Sequence, residues 1–146
     1  MENNTVNNNL SFEERIKSLL SHLSILIPNI GIMAPILIWV TQRENSKFVR
    51  FNSLQAIFFQ LISIAIMMLF IFVGIILMLV SMPSAIANPN AEPGTLFFVS
   101  MIFFFLYFPI WFIFIIYAIV GAILTYKGKI FRYILIGKII ENKVYK

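Results

Sequence analysis

The side chains best suited to chemistry in this 146-residue chain lie at the borders of long apolar runs. Histidine occurs once, as His22 inside the first apolar run, and the chain has no Cys. Ionisable residues in a membrane are costly and often functional, so His22 is a candidate polar intramembrane residue. The alternative is a neutral imidazole that bonds a carbonyl freed by a break at Pro28. A metal site needs further ligands, so we expect neither a metal nor a cofactor.

A second polar cluster opens the next apolar run: Arg50, Asn52, Gln55 and, deeper in the run, Gln60. Asn52 and Gln55 are three positions apart and share one helix face. One hypothesis makes these four residues an interaction face that lines a groove or contacts a partner. The alternative is a helix start at the membrane surface. Arg50 would then bind a lipid phosphate, and the amides would bond neighbouring backbone.

Enzyme chemistry finds little support in the sequence. The six acidic residues avoid the depths of the apolar runs, and we recognise no nucleophile–base pair and no phosphate loop. The net charge of +5 is not gathered on a soluble basic domain, so no nucleic-acid partner is expected. Basic residues near the C-terminus are instead predicted to contact lipid headgroups: Lys127, Lys129, Arg132 and Lys138.

Composition places these residues in an all-α integral membrane protein. Hydrophobic residues make up 60% of the chain and charged residues 12%, whereas a soluble domain has about 25% charged residues. A soluble fold of this size cannot hide so much apolar surface. Membrane lipids are therefore the expected surroundings. We predict a disordered Asn-rich tail over residues 1–10 and a single membrane domain over residues 11–146.

Three transmembrane segments are predicted, at about residues 18–41, 53–81 and 96–125, followed by a basic amphipathic tail over 126–146. Pro28, Gly31 and Pro35 interrupt the first segment. It therefore either crosses as one broken helix or enters and returns as a re-entrant hairpin. Before it, Ser11 and Glu14 form a capping-box pattern that predicts the start of an amphipathic surface helix.

Lys and Arg are distributed unevenly among the connecting segments. Residues 42–50 contain three and the tail after Thr125 contains six, whereas residues 82–95 contain none. By the positive-inside rule, the 42–50 loop and the C-terminus face the cytoplasm and the 82–95 loop lies outside, in a multi-pass protein of the cell membrane. A crossing first segment puts the N-terminus outside. A re-entrant one puts it inside.

Several short motifs resemble the Tic20-like family of small membrane proteins, in its prokaryotic domain-of-unknown-function form. The strongest is Phe-Val-Arg-Phe-Asn-Ser-Leu-Gln-Ala-Ile at 48–57, with His-Leu-Ser at 22–24, Pro-Ile-Leu-Ile-Trp at 35–39 and Lys-Gly-Lys-Ile-Phe-Arg-Tyr at 127–133. The pattern departs from the family at Ala34 and Ile134, where Gly and Pro are usual. The resemblance implies a multi-span membrane protein. Its plastid member is implicated in protein translocation.

Three functions are compatible with these observations. The first is an accessory or structural subunit that binds a membrane-protein partner or forms a homo-oligomer. The contact would form at the break between Pro28 and Pro35 and at the polar face of Asn52, Gln55 and Gln60. The second is a component of a translocating pore, which would have to be oligomeric because three helices enclose little space. The third is a sensor that binds anionic lipid through its basic tail.

Overall fold

A computed structural model describes residues 9–27, 30–42, 44–87, 93–134 and 136–145. In those ranges the chain forms five α-helices, one 3₁₀ turn and no strand, which confirms the all-α prediction. The elements are α1 (Phe12–Leu23), the 3₁₀ turn (Ser24–Leu26), α2 (Met33–Gln42), α3 (Lys47–Ala87), α4 (Thr95–Tyr126) and α5 (Gly137–Val144). The disorder predicted for residues 1–10 falls almost wholly outside the described residues.

Two helices are long and apolar enough to cross a membrane. Among the described residues these are Lys47–Met82 within α3 and Thr95–Tyr126, which is α4. At about 1.5 Å per residue each exceeds a hydrocarbon core of about 30 Å. They contain the second and third predicted spans, and only 17% and 11% of the residues in their most apolar stretches are buried, as expected of lipid-facing helices.

The first apolar run does not form a third long helix. It divides between α1, the 3₁₀ turn and α2, and the 10 residues of α2 extend only about 15 Å. Pro28 lies outside the described residues, but Gly31 shows how the chain turns. A Cβ atom there would collide with the carbonyl oxygens of Ser24 and Ile27. Since glycine has none, α2 can begin directly against the 3₁₀ turn and pack against α1.

The chain divides into two compact units. The first comprises Met1–Ile62 and Ile115–Lys146, and the second is Ser63–Phe114. Within the second unit the two helices pack through aromatic rings: the ring centroids of Phe70 and Phe103 are 5.7 Å apart. All the polar residues singled out in the sequence belong to the first unit.

Helix α1 buries its polar side. Ser18, Ser21 and His22 are buried, whereas Phe12 is 69% exposed and Leu20 is also exposed. Soluble helices show the opposite arrangement. In lipid, apolar side chains gain nothing by hiding from the solvent, and small or polar residues mediate helix–helix contact. The predicted amphipathic pattern is therefore present, but Ser18, Ser21 and His22 face the protein, whereas Phe12 and Leu20 face out of it.

Helix α1 runs parallel to the first turns of α3. Its capping box is confirmed: the Glu14 amide donates to Ser11 Oγ over 3.2 Å, and the Ser11 amide donates to Glu14 Oε2 over 2.8 Å. The other oxygen of Glu14 accepts from Ser46, just before α3. Further along both helices, the hydroxyl oxygens of Ser21 and Ser53 are 3.0 Å apart. The two helices therefore start at the same end of the unit.

Candidate functional site: a buried polar network

A buried network of polar side chains joins α1, α3 and the segment after α4. His22 is 1% exposed, and Asn52 and Tyr133 are equally well buried. His22 Nδ1 lies 3.0 Å from the Tyr133 hydroxyl, and Nε2 lies 3.3 Å from Asn52 Oδ1. Asn52 Nδ2 in turn donates to the Phe48 carbonyl over 2.9 Å.

These contacts determine where the protons lie. Because Asn52 Nδ2 donates to a carbonyl, Oδ1 faces His22 and accepts from Nε2–H. The other ring nitrogen, Nδ1, then accepts from the Tyr133 hydroxyl. Burial raises the pKa of Tyr133. The pair is therefore a neutral imidazole beside a protonated phenol.

Gln55 binds the backbone of the segment that follows α4. Its Nε2 donates to the Phe131 carbonyl over 2.9 Å, and its Oε1 accepts from the Tyr133 amide over 3.0 Å. The side-chain amide thereby satisfies both backbone groups of an extended stretch without regular secondary structure. Buried backbone groups must be paired, so Gln55 fixes where this segment lies on α3.

Aromatic rings surround the polar network. Tyr133 stacks on Phe59 with 4.0 Å between ring centroids, and Phe131 meets Tyr117 edge-to-face at 5.5 Å. A Cβ atom on Gly121 would come within 2.9 Å of the Phe131 ring, so glycine makes room for this ring against α4. The rings exclude water, which strengthens the hydrogen bonds inside.

The turn after α4 directs the chain back towards α3. Gly128 has φ 74°, and its amide donates to the Thr125 carbonyl over 2.9 Å. The Lys129 amide donates to the Leu124 carbonyl over 3.0 Å. This pair of bonds around a left-handed glycine is a Schellman motif, and it ends α4 sharply. The segment that reaches Gln55 begins immediately afterwards.

The predicted interaction face turns inward rather than presenting free polar groups. Asn52 and Gln55 bond within the first unit as described, and Gln60 Nε2 donates to Ser24 Oγ over 2.8 Å. Arg50 differs from them: its Nε is buried without a hydrogen bond in the described part of the chain.

The predicted headgroup contacts separate into two groups. Lys127 and Lys138 are exposed and Lys129 is half-buried. Arg132 instead forms a two-point ion pair with Glu141, with contacts of 2.7 and 2.6 Å. That pair attaches α5 to the segment held by Gln55. Gln55 therefore docks this part of the tail onto α3, Arg132 ties α5 to it, and the exposed lysines remain accessible from outside.

Sequence reasoning missed Tyr133, Ser21 and Ser53 as members of the network. Tyr133 belongs to the motif at 127–133. It is 111 residues from His22 in the sequence, however, so no local pattern indicates that the two side chains are in contact. The two serines carried no local signal beyond helical spacing. Within the described ranges, no cluster of three or more His, Cys, Asp or Glu side chains could hold a metal.

Two long apolar helices and a polar network turned inward define a small α-helical membrane protein. Residues 13–140 match the model of the MamF/MmsF family, the magnetosome magnetite crystal formation protein family. This match covers most of the chain, so the chain belongs to that family and to a membrane. Comparison with curated proteins and with solved structures finds no significant match.

The assignment to a Tic20-like family is therefore wrong, because the family match identifies a different one. The motifs behind that assignment contain His22, Asn52, Gln55 and Tyr133, which bond to one another or to nearby backbone in the structure. They describe how helices pack. Such a packing pattern does not identify a function.

Proposed function

We propose that this chain is a small accessory subunit of the magnetosome membrane that takes part in magnetite crystal formation. The observation that carries the proposal is the family match over residues 13–140, since the family is described by magnetite crystal formation. The matched range includes all four residues of the His22–Asn52–Gln55–Tyr133 network. No catalytic step is part of this proposal.

The distribution of polar and apolar groups supports an accessory role. The amides of Asn52, Gln55 and Gln60 are engaged inside the chain. The long helices, in contrast, expose large apolar side chains such as Phe105, which is 77% exposed. Contacts with lipid, with another membrane protein or with a second copy would form on this apolar surface, so the proposed interaction face moves there from the polar cluster.

For the topology, we place α3 and α4 across the membrane and the first apolar run as a re-entrant hairpin. The Glu14–Ser46 hydrogen bond supports this choice, because it brings the start of α1 to the loop before α3. Helix α1 descends beside α3 as far as Gln60, about 20 Å from Lys47, and α2 returns. The N-terminus then shares the cytoplasmic side of the 42–50 loop.

Deletion of the gene from the chain's own host tests the proposal. Under iron-replete growth, electron microscopy of thin sections should show magnetite crystals of altered size or number, restored by the wild-type gene. As a control, the gene with Asn142→Ala, an exposed position of α5, should restore the crystals as well as the wild-type gene does. Unchanged crystals in the deletion strain would contradict the role in magnetite formation.

A photo-reactive residue in place of Phe105 shows whether the apolar surface contacts another membrane protein, a second copy of this chain or lipid alone. Crosslinking in cells followed by mass spectrometry should identify a second membrane protein or another copy of this chain. The same residue at Phe51, which is fully buried, is the matched control and should crosslink only within the chain. If position 105 yields lipid adducts alone, the apolar surface has no protein partner and the subunit proposal is wrong.

A further inference from the structure

We propose that Ser18, Trp39 and Arg50 form a binding site for a phosphate oxyanion at the membrane surface. Ser18 Oγ, Trp39 Nε1 and Arg50 Nε are the buried side-chain nitrogen and oxygen atoms without a hydrogen-bond partner in the described part of the chain. Ser18 is 0% exposed. Such groups are few in native proteins, and leaving each one unpaired is costly.

The helix register brings Ser18 and Arg50 to the same place. The two hydrogen bonds between α1 and α3 described above each join residues 32 positions apart. Ser18 and Arg50 are also 32 positions apart, since 50 − 18 = 32. Each lies on its helix between the two bonded residues, at spacings of four and three positions, which keep all three on one face. Their side chains therefore face each other between the two contacts.

Trp39 reaches the same level from α2. The turn before this helix passes beside Ser24 at Gly31, and the helix then packs back along α1. Trp39 lies eight positions after Gly31, about 12 Å along the returning chain. Counting the same distance back from Ser24 along α1 leads to Ile16, two positions before Ser18. Trp39 therefore lies within about one helical turn of Ser18 along the axis of α1.

The chemistry of the three groups selects an oxyanion. The indole and guanidinium nitrogens can only donate hydrogen bonds, and the serine hydroxyl can also donate. Arg50 supplies a positive charge in the planar form that suits phosphate. The nearby carboxylate of Glu14 is already bonded through both oxygens, to the Ser11 amide and the Ser46 hydroxyl.

Arg50 stands at the start of a helix that we place across the membrane, at the height of the headgroups. The phosphate could belong to an anionic lipid or be free in solution. Both sources offer the same oxygens, and separate probes distinguish them.

Binding is measured on the purified chain in neutral detergent. Native mass spectrometry reports adducts with short-chain phosphatidylglycerol, and the emission of Trp39 in a Trp111→Phe variant reports titration with inorganic phosphate. We expect saturable binding of at least one probe. Arg50→Gln should weaken it at least tenfold and Ser18→Ala by about tenfold, as expected for hydrogen bonds to a charged group. Trp39→Phe removes only the indole N–H from a similar apolar ring.

Lys47→Gln is the matched control, since it removes one exposed positive charge from the same turn of α3 and should leave the affinity unchanged. Binding of phosphatidylglycerol alone would assign the site to lipid, and binding of inorganic phosphate would assign it to a free oxyanion. Absence of both, or equal weakening by Lys47→Gln and Arg50→Gln, would overturn the site. Circular dichroism of each variant establishes that it is folded.

Discussion

His22 and Tyr133, 111 residues apart, are joined by a hydrogen bond of 3.0 Å between the imidazole Nδ1 and the phenol oxygen. The contact ties the first helix to the segment after the last long helix, with α3 alongside both through Asn52 and Gln55. A tail that looks like a free amphipathic surface segment is thus part of the packed unit. Its attachment depends on a few hydrogen bonds, and each can be removed separately.

Gln55→Leu should release the segment after α4. Leucine fills a similar volume but leaves the Phe131 carbonyl and the Tyr133 amide without partners, which should cost roughly 2–5 kcal/mol of unfolding free energy. Hydrogen exchange of the Tyr133 amide, followed by mass spectrometry in detergent, should become much faster. Gln42→Leu makes the same change at the half-buried end of α2 and should leave this exchange unaltered. A protected Tyr133 amide in Gln55→Leu would show that another contact holds the segment.

Tyr133→Phe isolates the contribution of one hydroxyl. The ring keeps its stacking on Phe59, while His22 Nδ1 loses its donor, so the free energy of unfolding should fall by about 1–2 kcal/mol. Thermal unfolding followed by tryptophan fluorescence measures the change. Tyr126→Phe removes an exposed hydroxyl and is the control. If both variants unfold like the wild type, the hydrogen bond to His22 adds nothing to stability.

Gly121→Ala should destabilise the first unit through the Phe131 ring. The added Cβ would lie 2.9 Å from two ring carbons, and overpacking costs about 1–3 kcal/mol, partly offset by about 1 kcal/mol of better helix propensity. Gly74→Ala is the comparison, because its nearest neighbour is a Phe104 ring carbon at 3.3 Å. Phe131→Leu should relieve the loss in Gly121→Ala. Equal melting temperatures for both alanine variants would contradict this packing.

The sequence was sufficient for features that depend on local rules. Helices α3 and α4 followed from apolar length, and the capping box followed from Ser11 and Glu14, because these signals lie within one segment. Periodicity shows which residues of α1 share a face, but it does not show what that face packs against. The sequence therefore did not reveal that the polar side of α1 points inward. The Gln55 contacts join residues 76 and 78 positions apart, and no local pattern reveals them.

Helix α2 can pack back along α1 because the chain approaches itself closely at Gly31. The sequence does not reveal this contact, so it leaves open whether the first segment crosses the membrane. The motifs that resemble the Tic20-like family do not identify the family of this chain, because their side chains pack the helices together and a packing pattern does not specify a function.

The most direct test of this account is the side of the membrane on which the N-terminus lies. The chain has no Cys, so single cysteines at Asn9, Asn45 and Gly94 can be labelled without background by a membrane-impermeant maleimide. In sealed vesicles of known orientation, positions 9 and 45 should label from the same face and position 94 from the opposite face. Labelling of position 9 from the face of position 94 would mean that the first segment crosses, and would contradict the re-entrant hairpin.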